Sequence, residues 1–226
     1  MKFLKSIITM VGISAICTSC DNMTAQTDRD NKDNQKKTYT SANAAALAAK
    51  LDMMDASAQV AFGINKEQLR AATPANPIMK QNIDWDNLLK ADSSTMPEAI
   101  KSNDNVTIVP LASDNNIVTV VSLMKEGDQY TIGALGDKQL SSELDMVRKA
   151  DPNALDGTIQ IYEVPNLGAV IYGVEKDNTA RYYTSYNNYS IRQALDAKTL
   201  ITMLRADAAR FEKMYGDQLK KGKLVK

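Results

Sequence analysis

Between Val106 and Tyr186 the chain is cut by polar turns into apolar runs too short for helices and rich in Val, Ile, Thr and Tyr. Such punctuation restricts these runs to neighbouring strands of a sheet. Val106 to Pro110 precedes the turn Asn115-Asn116, Ile117 to Met124 precedes Lys125-Glu126-Gly127-Asp128, and Gln129 to Leu135 completes a meander. A helix is expected from Ser142, which can cap it while Asp145 reaches back to the cap residue. Pro152 and Asp156-Gly157 close that unit.

The order then recurs. Thr158 to Val164, Ala169 to Glu175 and Thr179 to Tyr186 read as strands, and a helical region follows from Ser190, recapped near Asp196. Its apolar side is Leu200, Ile201, Leu204, Ala208, Phe211 and Tyr215, with Gly216 as the expected stop. Two successive three-strand-plus-helix units, 106–150 and 158–215, suggest an internal duplication.

Upstream the spacing is helical. Ser41 caps a predicted helix reaching Phe62, with Leu47, Leu51, Met54, Ala58 and Phe62 on one side. Further helices are expected over Lys66–Ala72, Pro77–Lys90 and Pro97–Lys101. The fold class is therefore α+β: N-terminal helices followed by a mainly antiparallel sheet, in one domain over 41–219 with a basic tail at 220–226.

The first residues are of another kind. Lys2 and Lys5 precede the apolar stretch Ile7 to Ile16, which is about half the ~20 residues a membrane-spanning helix needs. Cys17-Thr18-Ser19-Cys20 follows. This order of positive, apolar and small residues ending on a cysteine resembles the signal peptide of bacterial lipoproteins, with Cys17 where that family usually carries an aliphatic residue. The resemblance covers residues 1–20 only. It implies removal of 1–19, acylation of Cys20, and a cell-envelope location on a membrane held by that lipid. Residues Asp21 to Lys37 hold no large apolar side chain except Met23, so 20–40 reads as a solvated tether.

Composition narrows the chemistry. The chain has no histidine, and its two cysteines are Cys17 and Cys20. A mature domain of this kind has no disulfide, no imidazole- or thiol-based catalysis and no imidazole or thiolate metal site. Basic and acidic residues balance at 27 each, and losing Lys2 and Lys5 leaves a slight acidic excess. That excess argues against nucleic acid as a partner; the tail Lys220 to Lys226 reads as a solvated terminus.

Motif fragments lack their contexts. Ser122 to Lys125 fits S-x-x-K and Ser113 to Asn115 fits S-D-N, but in the wrong order, and with Ser122 in a strand. Asp151 to Gly157 misses the calcium-loop spacing by one residue and has no closing glutamate. No cofactor or metal is expected.

What remains is a tyrosine cluster in the last unit: Tyr162, Tyr172, Tyr182, Tyr183, Tyr186 and Tyr189, with Arg181 and Arg192. Strand alternation points Tyr182 and Tyr186 one way and Tyr183 the other. Arg181, Tyr182, Tyr183, Tyr186 and Tyr189 are the candidate binding surface, because tyrosine and arginine anchor contacts at low entropic cost. Stacked tyrosines also stabilise sheets without binding anything. Three readings stay open: a non-catalytic module binding an envelope protein or glycan, a two-carboxylate hydrolase of envelope or external glycans, and an assembly or inhibitory factor for another exported protein.

Overall fold

A computed structural model describes residues 37–54, 64–102, 106–156 and 158–220. The signal-like segment, Cys20, most of the expected tether, the end of the first expected helix and the last six residues of the tail lie outside the described residues. The described residues are α+β, with helices on both faces of one eight-stranded sheet.

The described chain joins the sheet before Ser41. Tyr39 exchanges two backbone hydrogen bonds with Tyr130, each 2.8 Å, so the last residues of the expected tether belong to the sheet. Ser41 then caps α1 (Ala42–Met53), accepting from Ala44 N at 3.2 Å. Its alanines 42, 45, 46 and 49 are buried, whereas Leu47 and Leu51, expected on the apolar side, are exposed. Small residues let this helix lie close to the sheet. α2 (Lys66–Ala71) follows, capped by Asn65.

The expected helix over Pro77–Lys90 is not formed. Ile78–Asn82 is instead a strand, β2, after a two-residue strand β1 (Thr73–Pro74). Only Trp85–Lys90 is helical, α3, capped by Asp84. The cause is non-local: β2 pairs antiparallel with β3 (Val106–Ser113) and parallel with β6 (Thr158–Val164), filling ladders that would otherwise be open on both partners. Pro97–Ala99 makes a single 3-10 turn.

The two meanders form as expected. β3, β4 (Asn116–Glu126) and β5 (Gln129–Leu135) are consecutive antiparallel neighbours, as are β6, β7 (Ala169–Lys176) and β8 (Thr179–Tyr183). Two hairpins turn on residue pairs that both have positive φ: Asp114-Asn115 at 49° and 64°, and Asp177-Asn178 at 51° and 59°. Asn and Asp tolerate that conformation, and its twist matches the strands it joins. β3 has five consecutive buried residues, a run that alternation alone would not give. It is covered on both faces.

α4 (Lys138–Ala150) begins four residues before Ser142. Its cap is Asp137, which accepts from Leu140 N at 2.9 Å, while Asp145 accepts from Ile117 N at 3.0 Å and so ties the helix to β4. A short α5 (Asn153–Asp156) follows. The final helix, α6 (Ala197–Lys220), is capped by Asp196, which accepts from Thr199 N at 2.7 Å; residues 190–195 are not helical. It runs through Gly216 without stopping. A Cβ at Gly216 would stand 2.5 Å from Glu212 Oε1, so the glycine leaves room for the carboxylate that accepts from Trp85 Nε1 at 3.2 Å.

The strand order is β5-β4-β3-β2-β6-β7-β8, with β1 also on β3. Neighbouring residues on β6 show the layers: Ile161 packs with Leu140, Leu144 and Val147 of α4, and Tyr162 packs with Leu200, Ile201 and Leu204 of α6. Successive side chains leave opposite faces, so the helices following the two meanders cover opposite sides of the sheet. α1 and α2 share the α6 side, over β3 and β4. The element order recurs between the two halves, but their helices are not placed alike.

Candidate functional site

The tyrosines of the second meander are distributed by strand alternation. Tyr162 and Tyr182 lie on the α6 side, and Tyr172 and Tyr183 on the α4 side. Register places Gly173 opposite Tyr182 on β8 and opposite Gln160 on β6. A Cβ at Gly173 would meet Tyr162 Cε2 at 3.2 Å and Tyr182 Cε1 at 3.4 Å, so this glycine lets the two rings close over the strand.

Each of these phenols ends on a carboxylate. Tyr162 and Tyr182 both donate to Glu98 Oε1, at 2.9 and 3.1 Å, and Gln160 Oε1 lies 2.8 Å from the Tyr162 hydroxyl. Tyr172 donates to Glu143 Oε2 at 2.9 Å, and Ser185 and Gln139 Nε2 donate to its other oxygen. Tyr183 donates to Asp151 Oδ2 at 2.8 Å. Asp151 is only 1% exposed and also accepts from Asn153 N at 2.9 Å, while Arg181 Nη1 stands 4.0 Å from Oδ2. Tyr186 donates to Asp207 Oδ2 at 3.1 Å.

Burial, and then the adjacent negative charge, raise all five phenols above their ordinary ionisation range. Tyr183 and Tyr186 reach about 12. Near neutral pH these hydroxyls are donors committed to one acid each. They do not supply a base or a nucleophile.

The expected binding surface is therefore divided. Tyr182 and Tyr183 are buried, at 0% and 2% exposure, and do not belong to an outward face. Arg181 is exposed, and Tyr186 and Tyr189 are half-buried in or beside the turn that follows β8. The acids Glu98, Glu143, Asp151 and Asp207 were not legible as partners, since each lies 21 to 84 residues from its tyrosine.

A concavity accompanies the Tyr172–Glu143 pair, and a second lies apart from the pairs. One, of about 180 Å³, is lined by Asp137, Glu143, Glu163 and Tyr172 among others. Its acids are engaged: Asp137 caps α4, Glu143 takes the donors above, and Glu163 pairs with Lys80 at 2.7 Å. The other, of about 210 Å³, opens where β1 ends and β2 has not begun, and is lined by Asn76, Pro77, Pro110, Arg148, Thr158 and Ile159 together with small apolar residues. Arg148 Nη1 is enclosed and has no hydrogen-bond partner among the described residues.

Ser122, the serine of the S-x-x-K fragment, is paired with Ile108 and Ala134 inside β4, away from any helix start. No helix among the described residues is long and apolar enough to cross a membrane. The chain matches no protein-family model, no curated protein and no solved structure.

Proposed function

We propose that this chain is a cell-envelope lipoprotein, acylated at Cys20, whose folded domain binds an envelope protein or glycan and does not catalyse. The observation that carries the binding reading is the commitment of the domain's buried phenols and their acids to one another. A hydrolase working through two carboxylates needs one free to give up a proton and one free to attack or to activate water. The acids that line the concavity beside Tyr172, namely Asp137, Glu143 and Glu163, already accept hydrogen bonds or stand in an ion pair. A sheet stiffened in this way is a scaffold for presenting a surface, and the exposed Arg181 with Tyr186 and Tyr189 borders it.

The anchor is supported by the order of residues 1–20 and by the polar stretch that follows them. The test is phase partition. The wild-type protein is expected in the detergent phase, its mature amino-terminal peptide carrying diacylglycerol on Cys20. Cys20→Ser is expected to move to the aqueous phase. A Cys20→Ser protein that stays with detergent removes the anchor from the proposal.

A further inference from the structure

We propose that the cleft at the β1–β2 break is a binding site for a carboxylate carrying a small apolar group, held by Arg148. This rests on the reading of the domain as a binding module and gives it a ligand class.

The cleft exists because one strand is interrupted. β1 and β2 both pair with β3, at Leu111–Ala112 and at Val106–Ile108, and between them only Ala75 N bonds to β3, at Pro110 O, 2.8 Å. Pro77 and Pro110 have no N–H to close the gap. β2 turns to β6 just beyond it, so the opening lies at the seam between the two meanders.

Arg148 reaches this seam from the last turn of α4, where the carbonyl end of the helix favours a cation. The charge is therefore tolerated there, but its hydrogen-bonding capacity is not satisfied. Nη1 is enclosed without a partner among the described residues. The carboxylates one turn away along the chain are used elsewhere, Asp145 by Ile117 N and Lys149, and Asp151 by Tyr183 and Asn153 N. Among the residues whose side chains are described, no acid lines the cleft.

A guanidinium nitrogen enclosed without an acceptor is costly, and a carboxylate in the cleft can accept from the part of the Arg148 guanidinium that lines it. The remaining walls, Pro77, Ile78, Pro110, Ala154 and Ile159, suit a short apolar group, and Asn76 and Thr158 add polar atoms at the lining. The volume of about 210 Å³ is below that of pockets for drug-sized ligands, so the occupant is small: a free short-chain acid or the carboxyl end of a peptide.

The test uses the full lipidated protein in detergent micelles, titrated calorimetrically with 3-methylbutanoate, with its amide, and with a short leucine-ended peptide whose carboxyl is free or amidated. The carboxylates are expected to bind at millimolar concentration or below, at least about tenfold tighter than the amides. A free-carboxyl peptide stronger than 3-methylbutanoate identifies a chain end as the source, and the reverse order identifies a free acid. Arg148→Met keeps the stem, and is expected to weaken carboxylate binding about tenfold or more while leaving the thermal midpoint unchanged or raised. Absence of carboxylate binding at about 10 mM, or equal binding by Arg148→Met, overturns the proposal. A lowered midpoint in Arg148→Met also overturns it, because the arginine is then structural. Anchoring is read separately by Cys20→Ser, so failure of the anchor and failure of the cleft are distinguishable.

Discussion

At the scale of single residues, the question is which tyrosine–acid pairs hold the fold and which merely decorate it. Burial decides. Asp151 is almost completely enclosed, and Tyr183 is one of two donors hydrogen-bonded to it, so Tyr183→Phe leaves a buried carboxylate short of a donor. A loss of roughly 1–3 kcal/mol is expected, read as a lower urea midpoint with an unchanged slope. Tyr186 is half-buried, and its acid Asp207 also meets Arg210 at 3.5 Å, so Tyr186→Phe is expected to cost less, within about 1 kcal/mol. Equal losses for the two would contradict this ranking. Gly173→Ala tests the pair above Glu98: its methyl presses on two rings whose hydroxyls are held, and about 1–3 kcal/mol of destabilisation is expected. The tyrosines themselves were legible as a cluster in the sequence. Their partition between two faces followed from alternation, but their burial did not, because nothing local distinguishes a tyrosine that stacks in a sheet from one that meets a ligand. The acids that complete the pairs come from other elements, and only the fold brings them near.

At the scale of elements, caps separate what the chain chooses from what a motif suggests. Both Asp137 and Ser142 are residues that start helices, and α4 starts at Asp137. Gly136, at φ +69°, makes the preceding turn and donates to Val120 O at 3.1 Å, which delivers Asp137 to the cap position. Asp137→Ala is therefore expected to cost about 1 kcal/mol and Ser142→Ala almost nothing, by urea unfolding. The reverse order would return the helix start to Ser142. The six strands of the two meanders were legible because polar turn residues separate them, although the first turn falls on Asp114-Asn115, one residue before the expected Asn115-Asn116. β2 was not, because two adjacent apolar residues, Ile78 and Met79, followed by Lys80, Gln81 and Asn82 lack the alternation that marks a half-buried strand. Its partner β6 begins about eighty residues later, beyond the reach of local pattern. The same reason hid the cleft, which depends on where that strand breaks.

At the scale of the whole molecule, the phenol–acid pairs give the fold a definite response to alkali. Tyr162, Tyr172 and Tyr182 are held above their ordinary range by burial, and Tyr183 and Tyr186 to about 12, whereas in the unfolded chain a tyrosine ionises near 10. Below pH ~10 both states keep these protons, and the contribution of the pairs to stability is fully present. Above it the unfolded chain loses protons that the folded chain retains. Stability therefore falls as pH rises from about 10 towards and through the folded values, and it falls for five groups together. Two measurements check this. The urea midpoint is expected to be level between about pH 8 and 9.5 and to drop steeply by pH 11. At about pH 11, adding denaturant is expected to increase phenolate absorbance near 295 nm, because unfolding releases protons held in the core. Because Tyr162, Tyr172, Tyr182 and Tyr183 belong to the two cores that meet across β6, their ionisation is expected to coincide with loss of the sheet and not to precede it. Phenolate absorbance that rises to its full value while the far-ultraviolet signal of the sheet is intact would mean that these hydroxyls are accessible in the folded protein, and that the pairs do not bind its two faces together.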